Sequence, residues 1–257
     1  MVEGATVLGE AIAAGATIES VFVAPEHNEA ANGVVSAAVG VGARVYELAP
    51  GVLQRVADTV TPQPVLAVVR SVTVALDALA SATLLVVCVD LRDPGNAGTV
   101  LRSAEAAGVG GVICCDGTVD ITNPKCVRAS AGSLFHVPVV AGGDAVTVLQ
   151  HVGAWGLRRL GAVVAAGDPY TETDLRAPTA FVLGNEAHGL PPHVLGTLDA
   201  SVHIPMEGRG ESLNVGMACA VLCFEAVRQR RAPGPTPAGR SPGPGADAGG
   251  RPPVGPR

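Results

Sequence analysis

One run of residues constrains the fold more than any other feature. It is Leu84–Asp90, LLVVCVD, in which six apolar residues precede Asp90. A strand with one exposed face alternates apolar and polar residues, whereas a strand covered on both faces is apolar throughout. Strands covered on both faces occur mainly in parallel sheets that carry helices on each side. The run therefore predicts a central strand of an α/β sheet.

Helical and strand-like segments alternate on both sides of that run. Before it, the periodicity predicts helices at Val7–Ala14, Ala30–Val41 and Gly51–Ala57, and strands at Ser20–Ala24, Arg44–Glu47 and Val65–Arg70. After it, the predicted helices are Asn96–Ala107, Pro124–Gly132, Ala145–Leu157, Pro191–Leu198 and Leu213–Arg231, and the predicted strands are Val109–Cys115, Val137–Val140, Ala162–Ala166, Ala180–Leu183 and Ser201–Ile204. This alternation predicts a small βαβ-type unit followed by a doubly wound parallel sheet.

Two changes of composition divide the chain. Residues 71–80 show no clear periodicity, and we expect them to connect a first unit, residues 1–72, to the main sheet, residues 80–231. Residues 232–257 contain 8 Pro and 7 Gly among 26 residues and no apolar set. Proline removes backbone donors and such a segment cannot bury enough apolar surface to offset its conformational entropy, so we expect a disordered tail.

The composition excludes several classes of protein. Of the 257 residues, 48% are apolar and 16% are charged, which is typical of a globular chain and not of a disordered one. No apolar stretch approaches the roughly 20 residues of a transmembrane helix, so we expect no membrane association. The net charge of −6 would, by the usual rule, disfavour a nucleic-acid partner.

The cysteines and histidines indicate neither a disulfide framework nor a metal site. The chain has six cysteines and no Cys-x-x-Cys pair, so we interpret them as small buried apolar residues of a reducing, cytoplasmic compartment. The six histidines lack the spacings of known zinc motifs. We therefore expect no metal cofactor.

Three polar segments each follow a predicted strand, where open α/β sheets bind their ligands. The first runs from Asp90 to Arg102. Asn96 could cap the following helix, and Thr99 and Arg102 share a face with it, which would place an amide and a guanidinium beside an anion-binding helix start. An ordinary capped helix with a solvated arginine is equally compatible. Asp90 and Asp93 are likewise either paired carboxylates or simple caps.

The second and third segments are rich in glycine and neutral polar groups. Phe181–Leu190 runs from a strand into Gly184 and a turn that contains Glu186. His203–Asn214 contains Ser212 and Asn214, either of which could cap the last helix. A hydroxyl and an amide favour a neutral or zwitterionic ligand over a triphosphate. The chain has no Walker A sequence, no G-x-S-x-G and no complete G-x-G-x-x-G, which disfavours an ordinary dinucleotide-dependent oxidoreductase.

Together the three segments resemble the SpoU-type (TrmH-like) RNA 2′-O-ribose methyltransferases of the SPOUT superfamily. The matching motifs are Asn96-x-Gly98-x-x-x-Arg102, then Gly184-Asn-Glu186-x-x-Gly189-Leu190, then Ile204-Pro205-Met206 with Ser212-Leu213-Asn214-Val215. Their order and spacing also fit. The resemblance covers residues 85–231, and residues 3–70 more loosely resemble the family's small substrate-binding domain.

The resemblance implies an α/β fold in which a small substrate-binding domain precedes a parallel-sheet methyltransferase domain with a trefoil knot. It implies a homodimer and S-adenosylmethionine as methyl donor, held at Leu183, Gly184, Ile204, Met206, Leu213 and Asn214. It also implies that the catalytic residues are Arg102, Asn96, Glu186, Ser212 and Asn214. Arg102 would be either the base that takes the ribose proton or a group that positions the ribose or its phosphate, because a guanidinium gives up its proton too reluctantly to be an easy base.

The implied activity is 2′-O-ribose methylation of structured RNA. The small amino-terminal unit favours ribosomal RNA, with 23S rRNA as the candidate within that class. The alternatives are transfer RNA as substrate, or binding of RNA and cofactor without catalysis. Under this interpretation the charge of −6 disfavours only tight nonspecific binding, since recognition needs a local positive patch. We expect such a patch around Arg92, Arg102, Arg128 and Arg209.

Overall fold

A computed structural model describes residues 1–25, 29–56 and 62–231. Within them the chain forms a four-stranded sheet from its amino-terminal part and a seven-stranded sheet from the remainder. Two sequence expectations lie outside the described residues: the disordered tail 232–257 and the end of the helix expected at Gly51–Ala57.

The four-stranded sheet has the order β1-β4-β2-β3. Strands β2 and β3 are parallel and joined by a helix, which confirms the βαβ-type unit, whereas β4 is antiparallel to both β1 and β2. Strand β1 has only two residues, too few to show periodicity, and so was not expected. The elements are β1 Val2–Glu3, α1 Ala5–Ala13, β2 Ile18–Val23, α2 Glu29–Gly40, β3 Arg44–Glu47, α3 Leu53–Val56 and β4 Val65–Val69.

The seven-stranded sheet has the order β7-β6-β5-β10-β8-β11-β9, and all of its pairings are parallel, as expected. Its strands are β5 Leu84–Cys88, β6 Gly111–Cys114, β7 Val139–Ala141, β8 Arg158–Ala162, β9 Asp168–Pro169, β10 Thr179–Leu183 and β11 Ala200–His203. Its helices are α4 Pro94–Ala106, α5 Pro124–Ser130, α6 Ala145–Ala154, α7 Pro192–Leu195 and α8 Val215–Arg231.

The core lies on both faces of this sheet. Strands β5 and β10 pair with each other, and every residue of both is buried. Helices α4, α5 and α8 cover one face, with Val100, Val127 and Cys219 in a cluster that continues into the amino-terminal sheet. Helices α6 and α7 cover the other face through a second cluster that contains Leu149 and Val194. Helices on both faces confirm the expected layers.

One strand lies four residues earlier than expected. The sequence favoured Ala162–Ala166, but β8 is Arg158–Ala162. The guanidinium of Arg159 donates to both carboxylate oxygens of Asp199, at 2.9 and 2.8 Å, so a charged side chain is accommodated at the start of the strand. The apolar residues Val163 and Val164 follow the strand and line a cleft instead.

The last turn of α8 is tied to the segment between β9 and β10. Gln229 donates to the carbonyl of Thr173 at 3.0 Å and accepts from the N–H of Leu175 at 2.9 Å. Arg230 donates to three carbonyls: Leu175 at 2.9 Å, Ala177 at 2.8 Å and Thr83 at 3.1 Å. These bonds hold the end of the helix against residues that lie more than 50 positions earlier in the chain.

Within the described ranges, no helix combines the length and hydrophobicity that a membrane span requires. All six cysteines are buried and free, as expected. Burial raises the pKa of the Cys115 and Cys126 thiols to about 12, which leaves them uncharged at neutral pH.

Candidate active site and cofactor cleft

A cleft of about 710 Å³ opens at the carboxyl ends of β8, β10 and β11, beside the amino end of α8. All three polar segments of the sequence contribute residues to it. The location agrees with the rule that open parallel sheets bind ligands beyond the carboxyl ends of their strands. The volume is in the range of small-molecule sites.

Three side chains from three different segments form a hydrogen-bonded chain at this cleft. The side-chain amide of Asn96 donates to Glu186 Oε1 at 2.9 Å. The amide of Asn214 donates to Asn96 Oδ1 at 2.7 Å. Asn96 therefore uses both ends of its amide, and it joins segments that are separated by 90 and 118 residues.

The capping residue of α4 is not the one expected. Asn96 lies inside the first turn of the helix, whereas Asp93 is the N-cap and accepts from the backbone N–H of Asn96 at 2.9 Å. Pro94 fits the first helical position because it has no N–H to satisfy there. Asp93 is therefore a cap rather than half of a carboxylate pair. The displaced cap frees the Asn96 side chain for the cleft.

Asn214 does cap the last helix, as expected. Its Oδ1 accepts from the N–H of Gly216 at 2.9 Å, while its amide group contacts Asn96. One side chain thus closes the amino end of α8 and joins the cleft network. Ser212, the other residue expected as a possible cap, lines the cleft.

The described hydrogen bonds to the Glu186 carboxylate all come from N–H groups, as expected for an ionised carboxylate, which can only accept. Besides the amide of Asn96, the backbone N–H groups of Asp93 and Arg92 approach it at 3.2 and 3.3 Å. Burial acts to raise the pKa of Glu186, but these hydrogen bonds outweigh it and hold the pKa below its ordinary value. The carboxylate is therefore charged at neutral pH.

The glycines of the second motif serve the loop itself. A Cβ added to Gly184 would lie 2.4 Å from the backbone carbon of Gly189, so the close approach there is made by the chain rather than only by a ligand. Asn185 and Gly189 exchange two backbone hydrogen bonds, at 3.0 and 2.9 Å. Gly189 has a φ of +66°, which favours glycine. The loop holding Glu186 is thus closed on itself.

Two residues near the cleft were not anticipated. Asn185 donates to the carbonyl of Asp90 at 2.9 Å and accepts from the N–H groups of Ala187 and His188, so it joins the Glu186 loop to the end of β5. Lys125 lies 2.7 Å from Asp93 Oδ2. Its uniqueness as the only lysine in the chain was the available signal.

All six residues expected to hold the cofactor line the cleft: Leu183, Gly184, Ile204, Met206, Leu213 and Asn214. Among the described lining residues there is no lysine or arginine, and two are glutamates, Glu186 and Glu211. A nucleotide triphosphate would lack cationic partners in such a cleft, whereas a ligand with positively charged groups would find carboxylates. Apolar side chains, including Leu190 and Leu222, supply a surface for a flat aromatic ring.

Arg102 lies outside this cleft. Its side chain is exposed on α4, and it makes no hydrogen bond or ion pair with any residue that the structure describes. Of the expected positive patch, Arg92 pairs with Asp90, and Arg128 pairs with Glu3 at 3.3 Å. Two of the four arginines are therefore already engaged by carboxylates within the chain.

The described residues contain no group of three or more His, Cys, Asp or Glu side chains that could hold a metal ion. Asp90 has a positive φ of 57°. It accepts from both Arg92 and Asn185, and so it acts as an anchor for the loop after β5.

Two family profiles match the chain. The SpoU rRNA Methylase family matches residues 83–224, and the MRM3-like substrate binding domain matches residues 1–67. Among curated relatives, the 23S rRNA (guanosine(2553)-2′-O)-methyltransferase RlmP of Bacillus subtilis is 31% identical over 224 residues, which cover 87% of this chain and 86% of that protein. The 23S rRNA (guanosine-2′-O-)-methyltransferase RlmB of Ralstonia nicotianae is 32% identical over 82% of this chain and 88% of that protein.

Solved structures agree with these matches. The SpoU methyltransferase AviRb from Streptomyces viridochromogenes, in complex with AdoMet, superposes with a TM-score of 0.81 and 28% identity over 89% of each chain. An AdoMet-bound rRNA methyltransferase from Sinorhizobium meliloti gives 0.78 and 29% identity over 90% of this chain and 87% of that one. The resemblance inferred from the three motifs is confirmed, and the chain belongs to the SpoU rRNA methylase family.

Proposed function

We propose that this protein transfers a methyl group from S-adenosylmethionine to the 2′-hydroxyl of a ribose in ribosomal RNA, and specifically in 23S rRNA. The observation that carries the proposal is the chain of hydrogen bonds from Glu186 through Asn96 to Asn214 at the mouth of the cleft. These hydrogen bonds join one residue from each of the three family motifs into a single network. The relatives named as 23S rRNA 2′-O-methyltransferases support the choice of RNA.

The cleft fits S-adenosylmethionine on its own chemistry. The cofactor carries positive charge on its sulfonium and amino groups, and the lining has carboxylates at Glu186 and Glu211 but no lysine or arginine among the described residues. Leu183, Gly184, Ile204, Met206, Leu213 and Asn214 would hold it. When bound, it supplies a methyl group already activated by a positively charged sulfur, so the transfer itself does not call for a metal.

In this proposal the protein's own side chains orient the ribose and the cofactor. Asn96 is fixed by two hydrogen bonds, so it presents the first turn of α4 to the ribose in a defined position. Glu186, Ser212 and Asn214 shape the pocket around it. Positioning of this kind can supply much of a rate enhancement, because a near-attack geometry removes entropy from the barrier.

Arg102 would act on the RNA rather than on the cofactor. An exposed guanidinium stays protonated at neutral pH, which favours contact with the ribose or its phosphate over removal of a proton. Its lack of partners among the described residues leaves its five donors available. The alternative role, as the base, requires a guanidine that has already given up a proton.

We further propose that a second copy of the chain completes the site. Met217 and Phe224 are seven residues apart on α8, and so lie on one face of the helix, with 57% and 48% of their surfaces exposed. Large apolar side chains on one helix face favour burial against another protein surface. A homodimer through this face would bring the Arg102-bearing helix of each copy close to its partner, because α4 packs on α8.

Three further parts of the proposal concern organisation. Residues 1–72 would bind the RNA as a small substrate-binding domain, and residues 80–231 would form the methyltransferase domain. Helix α8 would pass through a loop to form a trefoil knot; the bonds from Arg230 to Thr83 and to the segment before β10 support a tightly held carboxyl-terminal helix. The buried free thiols support a reducing, cytoplasmic location.

The test is labelled methyl transfer from S-adenosylmethionine to purified 23S rRNA, with transfer RNA as the second substrate, followed by mapping of the modified ribose. We expect 2′-O-methylation of 23S rRNA at one nucleotide. Arg102→Ala should abolish transfer, while its affinity for the cofactor, measured by calorimetry, stays within about twofold of the parent.

Three results would contradict parts of this proposal. If only transfer RNA is methylated, transfer RNA rather than 23S rRNA is the substrate. If the protein binds RNA and cofactor but methylates neither RNA, it is an inactive relative of the family. Normal transfer by Arg102→Ala would show that Arg102 has been given the wrong role. An absence of cofactor binding would remove the assignment altogether.

A further inference from the structure

Helix α5 lies between the amino-terminal sheet and α4, and two of its side chains make ion pairs with different parts of the molecule. Lys125 Nζ lies 2.7 Å from Asp93 Oδ2, at the start of α4. Arg128 Nη1 lies 3.3 Å from Glu3 Oε2, in the first strand of the chain. Lys125 and Arg128 are three residues apart, so they project from the same side of the helix.

On the side of the cleft, Lys125 acts on Asn96 through one carboxylate. Asp93 Oδ2 accepts from Lys125 Nζ, and Asp93 Oδ1 accepts from the backbone N–H of Asn96 at 2.9 Å. A Cβ on Gly95 would lie only 2.8 Å from the same carboxylate, so the glycine leaves the room that the cap occupies. The position of Asp93 therefore sets the first turn of α4, from which Asn96 reaches Glu186 and Asn214.

On the other side, the amino-terminal part of the chain is docked at two points. Glu3 is only 7% exposed, and its second oxygen accepts from the N–H of Gln63 at 3.0 Å. Just beyond α5, Gly132 has a φ of +97°, and a Cβ there would lie 2.5 Å from the stem of Glu10. The carboxylate of Glu10 then reaches His136 Nε2 at 2.7 Å.

Helices α4 and α5 have no room to slide against each other. A Cβ on Gly98 would lie 2.5 Å from Ala129 Cβ and 2.6 Å from the carbonyl oxygen of Cys126, so the two helices touch nearly backbone to backbone. A displacement of α5 would therefore be passed to α4. Neither Lys125 nor Arg128 lines the cleft.

We propose that α5 sets the position of Asn96 relative to the RNA held by the amino-terminal sheet, with Lys125 and Arg128 as positioning residues for methyl transfer. The inference rests on the proposed function, in which that sheet binds the substrate. The ribose has to meet the methyl group with its oxygen correctly placed, and a misplacement of about 1 Å can lower a rate about 100-fold. The ion pair of Lys125 is exposed and contributes little to folding stability, so its effect should appear in the rate.

The first test compares Lys125→Met with Lys125→Arg in steady-state methyl transfer to 23S rRNA. We expect Lys125→Met to lower kcat about tenfold, with KM for RNA, the cofactor Kd and Tm nearly unchanged. Lys125→Arg keeps the charge at Asp93 and should recover kcat to within about threefold of the parent. Arg176→Met, which removes an exposed cation paired only with Asp174, is the matched control and should leave the kinetics unchanged.

A double variant separates positioning from direct contact with RNA. Asp93→Asn keeps a good cap but loses the ion pair, so adding it to Lys125→Met should cause little further loss of kcat if Lys125 acts through Asp93. If Lys125 instead contacts a phosphate, kcat will be unchanged, KM will rise, and the slope of log affinity against log salt will fall by about one. That result would overturn the proposal.

The second test addresses the far end of α5. Arg128→Met is combined with Glu3→Gln, because removal of the arginine alone would leave a buried carboxylate without this ion pair. We expect kcat to fall several-fold while cofactor affinity is retained. An unchanged kcat would show that α5 does not couple the amino-terminal sheet to the position of Asn96. If the parent protein itself transfers no methyl group, the proposed function fails, whereas a loss confined to the variants concerns α5 alone.

Discussion

At the scale of single residues, the candidate site depends on matching donors to acceptors. A carboxylate only accepts hydrogen bonds, and Glu186 lies among the amide of Asn96 and the N–H groups of Asp93 and Arg92. An asparagine has one donor end and one acceptor end, and Asn96 uses both. An amide in place of the Glu186 carboxylate would add a donor to these three donors, so the arrangement depends on a carboxylate at that position.

Glu186→Gln tests this arrangement through its dependence on pH. The pKa of Glu186 is lower in the folded protein than the ordinary value of 4.5, so its contribution to stability is complete above about pH 5 and is lost as the pH falls through the lowered pKa. Glutamine places an NH₂ among donors and does not titrate. We expect the variant to be less stable by roughly 1 kcal/mol at pH 7, since solvent screens an exposed carboxylate.

The measurement is urea unfolding of parent and variant at several values between pH 7 and pH 3.5. Asp93, whose pKa is lowered by Lys125 and by the N–H of Asn96, titrates in the same range but is common to both proteins. The difference between the two free energies of unfolding should therefore shrink towards acid pH. A difference that stays constant over this range would contradict the assigned role of Glu186.

The sequence was sufficient to predict which residues line the cleft, apart from Arg102, which lies outside it, but not the partners of those residues. Asn96, Glu186, Ser212 and Asn214 line the cleft, as do the residues expected to hold the cofactor. The cap was misassigned because Asp93 and Asn96 are both good capping residues, and only the backbone geometry distinguishes them. Asn185 and Lys125 were missed because their roles arise from contacts across 95 and 32 residues, which no local pattern encodes.

At the scale of elements, the packing of the helices against one another depends on glycines at two helix–helix contacts. Gly98 lets α4 approach α5, and Gly216 lets α8 approach α4, where a Cβ would lie 2.6 Å from Thr99 Cγ2. Gly98 belongs to the first motif and Gly216 directly follows the third, and both motifs contribute residues to the cleft. Close helix contact and the cleft geometry are therefore set by the same short stretches of sequence.

Gly98→Ala should destabilise the protein even though alanine favours a helix. The new methyl group would overlap Ala129 and the Cys126 carbonyl, and overpacking of this kind costs about 1–3 kcal/mol, against a helical gain of about 1 kcal/mol. Gly33→Ala is the control, because Gly33 lies in α2 with no described atom within 4 Å of its Cβ position. We expect Gly33→Ala to raise the free energy of urea unfolding and Gly98→Ala to lower it; equal effects would argue against tight α4–α5 contact.

Most elements were predictable because their apolar periodicity is long enough to read. The parallel sheet, its two buried central strands and the covering helices follow from runs such as Leu84–Asp90. The exceptions are instructive: β1 and β9 have two residues each, and β8 begins with two arginines. In those places pairing with neighbouring strands, rather than local apolar content, decides the structure.

At the scale of the whole molecule, the apolar face of α8 is the feature that a single chain does not account for. Phe224→Glu would place a charge in any interface formed there. We expect the parent to be a dimer by light scattering and the variant to be a monomer with an unchanged circular dichroism spectrum and reduced methyl transfer. Val39→Glu, at a side chain of similar exposure on α2, should leave the dimer intact.

This experiment has two outcomes against the dimer. A monomeric parent would remove the proposal, and a dimeric Phe224→Glu variant would place the interface elsewhere. With a monomeric parent, the cleft would have to be complete within one chain, and the position of Arg102 outside it would need another explanation.

The bond between Asn214 and Asn96 also has a consequence for the order of events during protein synthesis. It joins residues 118 positions apart, and at 5–20 residues per second a ribosome needs roughly 6–24 s to add that length. Asn96 and strand β5 are therefore made well before α8 can reach them. A nascent chain can assemble much of its sheet during that interval, but under the proposed function it cannot yet bind the cofactor, since Leu213, Asn214 and α8 form one wall of the cleft. Binding competence arrives as one of the last steps of folding, so the methyl donor can stabilise the nearly finished molecule but cannot guide its early assembly.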